Sequence, residues 1–295
     1  MEEYNRILWD AVSEKTTASK RARARFSFLE FRKMAGLEKD MRRVKPAFAR
    51  WVTGVVMVLA LPLAGLSLWL IIGNDGTPVW QEVSTQYGQT SQVVLPDNTK
   101  ITMNGGSTLV YPSCFKRGNR QVFFSGEGYF EVQADASHPF DVLTKDAVVQ
   151  VLGTKFNLKS YAEDQLISVS LDEGKIAFEG DAQGSQKVNC EMVPGDDLSF
   201  NRETGALKKI YSDSNVNSGL WRKGEYYFKN ESLGSISRDI ERIFGVRVIV
   251  EREELLSAHY YIALVNGETP DDFVRILSMD RSLSVSREGN TIIIR

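Results

Sequence analysis

Trp51 to Ile72, WVTGVVMVLALPLAGLSLWLII, runs for 22 residues without a charge, and no other feature limits the architecture of this chain so strongly. As a helix the run extends about 33 Å, enough to cross the roughly 30 Å hydrocarbon layer of a bilayer with slight tilt. Trp51 and Trp69 stand near its two ends, where indole rings favour the membrane interface. Pro62 is predicted to kink the helix, which membrane helices tolerate. A buried globular helix rarely runs this long without charge. A cleaved leader would start nearer the N-terminus and end at small residues, not at Ile71-Ile72-Gly73-Asn74-Asp75. Arg42, Arg43, Lys45 and Arg50 flank the N-terminal side, and Asn74 and Asp75 the other. Positive charge stays inside, so a single-pass helix over 51–72 is expected, with the N-terminus cytoplasmic and residues 73–295 exported.

The charge distribution agrees with two environments. Residues 1–50 carry 13 Lys/Arg against 7 Asp/Glu, whereas the other 245 carry 23 against 31, and the overall net of −2 hides that division. Within the tail, Tyr4, Ile7, Leu8 and Ala11 fall at helical spacing. So do Ala24, Phe28, Phe31 and Ala35, with Phe26 and Leu29 adjoining. Two short amphipathic helices in about 50 residues cannot close a core by themselves. Their apolar faces need another surface, either a groove on a partner protein or anionic lipid. The density of aromatics favours the protein, and no recognised DNA-binding motif accompanies the basic residues, so no direct nucleic-acid partner is expected.

Beyond the apolar run, 73–88 reads as a linker and 89–212 as a β domain. Short runs such as Lys100–Met103, Thr108–Tyr111, Gln121–Phe124, Tyr129–Val132, Val148–Val151, Ile167–Leu171 and Lys175–Phe178 alternate with turn residues. Those turns include Asn104-Gly105-Gly106, Gly126-Glu127-Gly128 and Asp172-Glu173-Gly174. The spacing predicts an antiparallel sandwich or a solenoid-like stack of short strands. Residues 213–295 read as a small α+β domain of two βαβ-like units. Leu233, Ile236, Ile240 and Ile243 share a helical face that Gly245 ends, and Thr269 caps a second helix with Pro270 in its first turn.

Five blocks carry a family likeness: LPDNTKITMNGGSTLVYPSCFKRGNRQVFFSGEGYFEV (95–132), HPFDV (138–142), VQVLGTKFNLKSY (149–161), LDEGKIAF (171–178) and WRKGEYYFKNESLGSISRDIERIFGVRV (221–248). Together they resemble the FecR-like (iron-dicitrate sensor) transmembrane anti-sigma factors, in the form common among Bacteroidetes-type bacteria. The resemblance implies an inner-membrane protein with a mainly β fold and a periplasmic C-terminus. Its last domain would be similar to the short N-terminal signalling domain of outer-membrane receptors. It also implies a relay from such a TonB-dependent receptor to a cytoplasmic ECF sigma factor, with Leu8, Phe26, Phe28, Leu29 and Phe31 as the sigma-binding surface. Some family members are split at the Gly-Thr equivalent to Gly153-Thr154, which makes that bond a candidate for self-cleavage beside its plainer reading as a glycine turn. A tail of 50 residues also admits a periplasmic binding or scaffold protein without sigma-factor control.

Enzymatic signatures are missing. His138 and His259 lie in unlike contexts, and no H-E-x-x-H, G-x-S-x-G or Walker-type sequence occurs. Glu127 and Glu131 stand four apart on a strand and read as solvated edge charges. Cys114 and Cys190 are too few for a disulfide framework and wrongly spaced for zinc, though one bridge between them could form in an oxidising compartment. No catalytic residue, metal or cofactor is therefore expected.

Overall fold

The computed structural model describes residues 78–182, 187–211 and 218–295, together with Ala60, Pro62 and Ser67, which are helical. Trp51 and Trp69, and the tail residues Leu8, Phe26, Phe28, Leu29 and Phe31, lie outside the described residues. Among the described residues no helix is long and apolar enough to cross a membrane. Thr77–Arg295 form one compact unit.

Most of that unit is β, arranged as two sheets around one core. The first sheet runs in the order β1 (Trp80–Ser84), β4 (Thr108–Pro112), β5 (Arg120–Glu131), β6 (Phe140–Leu143), β7 (Ala147–Val151), β10 (Ile176–Gly180) and β11 (Val188–Met192). The second runs β2 (Ser91–Val94), β3 (Lys100–Met103), β5 again, β8 (Lys155–Ser160), β9 (Leu166–Glu173), β12 (Asp196–Asn201) and β13 (Leu207–Tyr211). The stretch expected as linker thus contributes β1, whose Trp80–Ser84 pair antiparallel with Pro112–Thr108. Both cysteines are free.

One strand joins the two sheets. Arg120–Ser125 pair with β6 and β4, and Gly126–Glu131 pair with β8 and, over the last four residues, β3. Gly126-Glu127-Gly128 is therefore the corner inside a 12-residue strand, not the expected turn. Gly126 adopts φ +125°, and a Cβ there would lie 2.5 Å from the Cα of Ser107. Only glycine permits a strand to change sheets so close to another backbone. Inward residues alternate with outward ones as the pleat requires: Ile101 and Met103, Val149 and Val151, Ile167 and Val169 are all at most 2% exposed. Phe130 stacks on Phe156 at 4.9 Å and meets Phe124 edge-on at 5.1 Å. Each such ring contributes roughly 1.5–3 kcal/mol by burial.

The C-terminal module holds α1 (Leu233–Phe244) and α2 (Pro270–Leu277) with five strands. β14 (Tyr226–Ser232) pairs antiparallel with β16 (His259–Leu264), while β15 (Arg247–Val250) runs parallel to β18 (Thr291–Ile294), which also pairs with β17 (Val285–Glu288). The strands flanking each helix thus go to different sheets, and the two units are not closed βαβ crossovers. The sequence signals at the helix ends are realised. Ser232 accepts from Ser235 N, and Gly245 takes the left-handed conformation at φ +64°. Thr269 and Asp272 form a capping box. Leu233, Ile236, Ile240, Phe273 and Ile292 are fully buried in a second core.

Candidate functional site

Helix α1 has two working faces. Leu233, Ile236 and Ile240 point into its own module, and residues three and four apart bring Arg238, Asp239 and Arg242 onto a neighbouring stripe. That charged stripe meets the β sandwich at the loop after β8 and at β8 itself.

Arg242 is the centre of the contact, 2% exposed. Nη1 donates to Asp164 Oδ2 at 2.7 Å and to Asp239 Oδ1 at 2.9 Å. Nη2 donates to Glu163 Oε1 at 2.6 Å and to Asp164 Oδ1 at 3.0 Å. The guanidinium lies 3.6 Å over the ring of Tyr161, whose hydroxyl donates to the carbonyl of Gly105 at 2.7 Å. Arg238 donates to Asp164 at 2.8 Å, and Lys159 on β8 pairs with Asp239. The backbone closes on the same point. Gly88 N donates to Arg242 O at 2.8 Å, and a Cβ on Gly105 would come within 2.3 Å of that oxygen. Both glycines lie in the loops beneath the helix; a side chain at 105 would push it away, and one at 88 would sit tightly, 3.3 Å from Gly245 N.

The ionisation of the cluster follows from its geometry. Burial alone would lower the Arg242 pKa, but the hydrogen bond to Asp164 and the charges of Asp239 and Asp164 outweigh it and hold the group above its usual range. Burial likewise pulls on Lys159, and Asp239, Glu127 and Glu231 more than compensate, so it too sits high. Burial raises Asp164, yet Arg242 and Lys159 bring it below the ordinary aspartate value. Buried charge paired in this way, here through both Nη atoms of Arg242 while its Nε makes no hydrogen bond, holds two surfaces in one orientation, because each partner left alone is costly.

A cavity of about 110 Å³ adjoins the joint, lined among others by Asn104, Glu127, Lys159, Trp221 and Glu231. Glu127 accepts from Asn104 Nδ2 at 2.8 Å and from Asn157 Nδ2 at 3.0 Å, so it is a held group of the joint and not the solvated edge charge expected of it. Trp221 Nε1 donates to Asn157 Oδ1 at 2.9 Å and carries the network into the segment before β14. Burial pushes Glu231 above the usual carboxylate range and Tyr226 up to about 12, with Glu127 adding to both.

Gly153 and Thr154 lie elsewhere, at the entrance to β8. A Cβ on Gly153 would meet Ala134 Cα at 2.6 Å. Thr154 is buried; its hydroxyl donates to the Lys175 carbonyl at 3.0 Å, and its carbonyl accepts from Val132 N at 3.0 Å. Gly174, at φ +96°, covers the pair, since a Cβ there would sit 2.6 Å from Gly153 O and 2.7 Å from Thr154 Oγ1. The bond is thus enclosed by two glycine close approaches.

Of the residues singled out in the sequence, Gly153 and Thr154 come together with the turn at Gly174, and Pro62 is helical. Arg242, Asp164, Lys159 and Asp239 carried no motif. The one signal was Arg238-Asp239-x-x-Arg242, a charged stripe beside the apolar stripe of α1. Among the described residues no group of three or more His, Cys, Asp or Glu is placed to hold a metal. The cluster offers oriented charge and hydrogen bonds, with no nucleophile poised beside a base.

Comparison with known proteins agrees with this division. The family described as FecR protein matches residues 81–177, and that described as FecR, C-terminal matches 225–294. Two crystal structures of a proposed anti-sigma factor from Parabacteroides distasonis ATCC 8503 are similar, each 28% identical and covering 73% of this chain and 98% of theirs, with TM-scores of 0.65 and 0.66. No curated protein matches the chain.

Proposed function

The chain belongs to the FecR-like family of anti-sigma factors, and on that premise we propose that it is a single-pass relay in the inner membrane. Its Thr77–Arg295 unit faces the periplasm and meets the signalling domain of an outer-membrane TonB-dependent receptor. Its basic tail holds an ECF sigma factor in the cytoplasm through Leu8, Phe26, Phe28, Leu29 and Phe31. The observation that carries this reading is the joint at Arg242. It ties the C-terminal module to the β sandwich, so that force applied to one is felt by the other. The uncharged run Trp51–Ile72 and the division of charge on its two sides support the orientation.

The full chain, solubilised from membranes in mild detergent, is expected to retain a sigma factor. A Phe28→Glu/Phe31→Glu variant is expected to lose it, because the contact would bury unpaired charge. Equal recovery by both, or none by either, contradicts the reading. Self-cleavage at Gly153-Thr154 enters as a proposal within it: the intact chain would yield two fragments and its Thr154→Ala form one.

A further inference from the structure

The outer face of the first sheet carries an apolar row where a solvent face should be polar. Glu82 stands opposite Val110, Val110 opposite Phe123, Phe123 beside Leu143, Leu143 opposite Val148, and Val148 opposite Glu179. The row crosses β4 to β7 over about 14 Å, at the spacing of neighbouring strands. Its members face outward, because the adjoining residues Leu109, Val122, Val142 and Val149 are fully buried. Trp80 on β1 completes it, with its ring 5.6 Å from that of Phe123. Trp80 is 50% and Phe123 48% exposed, large areas for rings on a sheet whose inner face already supplies a full core.

We infer that this row rests on the outer surface of the membrane. The inference depends on the span read in Trp51–Ile72 and adds a second contact to it. Trp80 follows Ile72 by eight residues, a tether that reaches under about 30 Å even when fully extended. A patch held that close works at a high effective concentration, so a few side chains suffice where a free domain would not stay bound. The chemistry fits the interfacial zone, where Trp is enriched and where Phe, Leu and Val bury without a partner. Glu82 bounds the row at one end and the Glu179–Lys187 ion pair at the other, a balance of charge that suits zwitterionic lipid better than an anionic surface. A sheet lying flat by its outer face would fix how the whole Thr77–Arg295 unit stands above the bilayer.

The test uses the full chain in phosphatidylcholine vesicles, with Cys114 and Cys190 changed to Ser. A single environment-sensitive dye is placed at Phe123→Cys or, as a control on an exposed residue of the C-terminal module, at Tyr261→Cys. Doxyl-labelled lipid is expected to quench the dye at 123 several-fold more than at 261. Trp80→Ser should bring 123 towards the control, and salt should change neither. Equal quenching at both positions, in a chain that resists alkaline extraction, overturns the contact and leaves the span intact. Self-quenching at 123 that grows with protein density assigns the row to a second copy and also overturns it. A chain that alkaline carbonate releases overturns the span, and the tethered contact falls with it.

Discussion

The sandwich core and the joint under α1 are both buried, yet they are made of opposite materials. Between the sheets, Phe124, Phe130 and Phe156 fill space with rings that need no particular partner beyond good packing. Under α1, Arg242 spends its donors on Asp164, Asp239 and Glu163, and each bond has a direction. Burial of apolar surface supplies stability and little orientation. A paired charge network supplies little net stability but penalises every misalignment. The two modules each own a core, and the contact between them is the directional kind, suited to passing on a position.

The sharpest break in that contrast is at the core. Phe130→Ala is expected to cost roughly 3–5 kcal/mol, the usual penalty for deleting a buried ring and leaving a cavity. Denaturant unfolding of the full chain in detergent measures it. Next in size is Arg242→Ala, at roughly 3 kcal/mol, because Asp164 then keeps only Arg238, and Asp239 only Lys159, to balance a buried carboxylate. A combined Arg242→Met/Asp164→Leu change is expected to restore most of that loss while leaving the modules free to shift. That result would separate the stability of the joint from its orientation.

Acid should discriminate further. Asp164 has a folded pKa below its ordinary 3.8, so its contribution is fully present above that value and lost as pH falls through the folded one. Glu231 runs the other way, since its pKa is raised and its contribution declines as pH rises past the usual carboxylate range. Stability below pH 3.8 should therefore fall more steeply in the parent chain than in the Met/Leu variant, where the Asp164 limb is gone. The smallest effect is expected of Tyr161→Phe, about 1 kcal/mol for one hydrogen bond to Gly105, with the Arg242 stacking retained.

Local rules were legible in the sequence, and long-range ones were not. Thr269-Pro270 and Gly245 announced helix ends because capping depends on residues within one turn. Alternation over Lys100–Met103 returned a strand with the same bounds. The glycines at 126 and 128 misled, since a sheet-changing corner and a turn ask for the same residue. The joint escaped notice because Asp164 and Arg242 are 78 positions apart and ordinary surface charges look identical. The apolar row on the outer face was hidden for a related reason: in Gln121–Phe124 it merges with inward residues into one hydrophobic run.

Distances between the modules test the joint most directly. Spin labels at Leu152→Cys in the sandwich and Met279→Cys after α2, in the full chain with Cys114 and Cys190 changed to Ser, report the separation by pulsed dipolar spectroscopy. A single narrow distribution is expected, broadening in the Arg242→Met/Asp164→Leu variant. A broad distribution in the parent chain, or one that the variant leaves unchanged, would contradict coupling through Arg242.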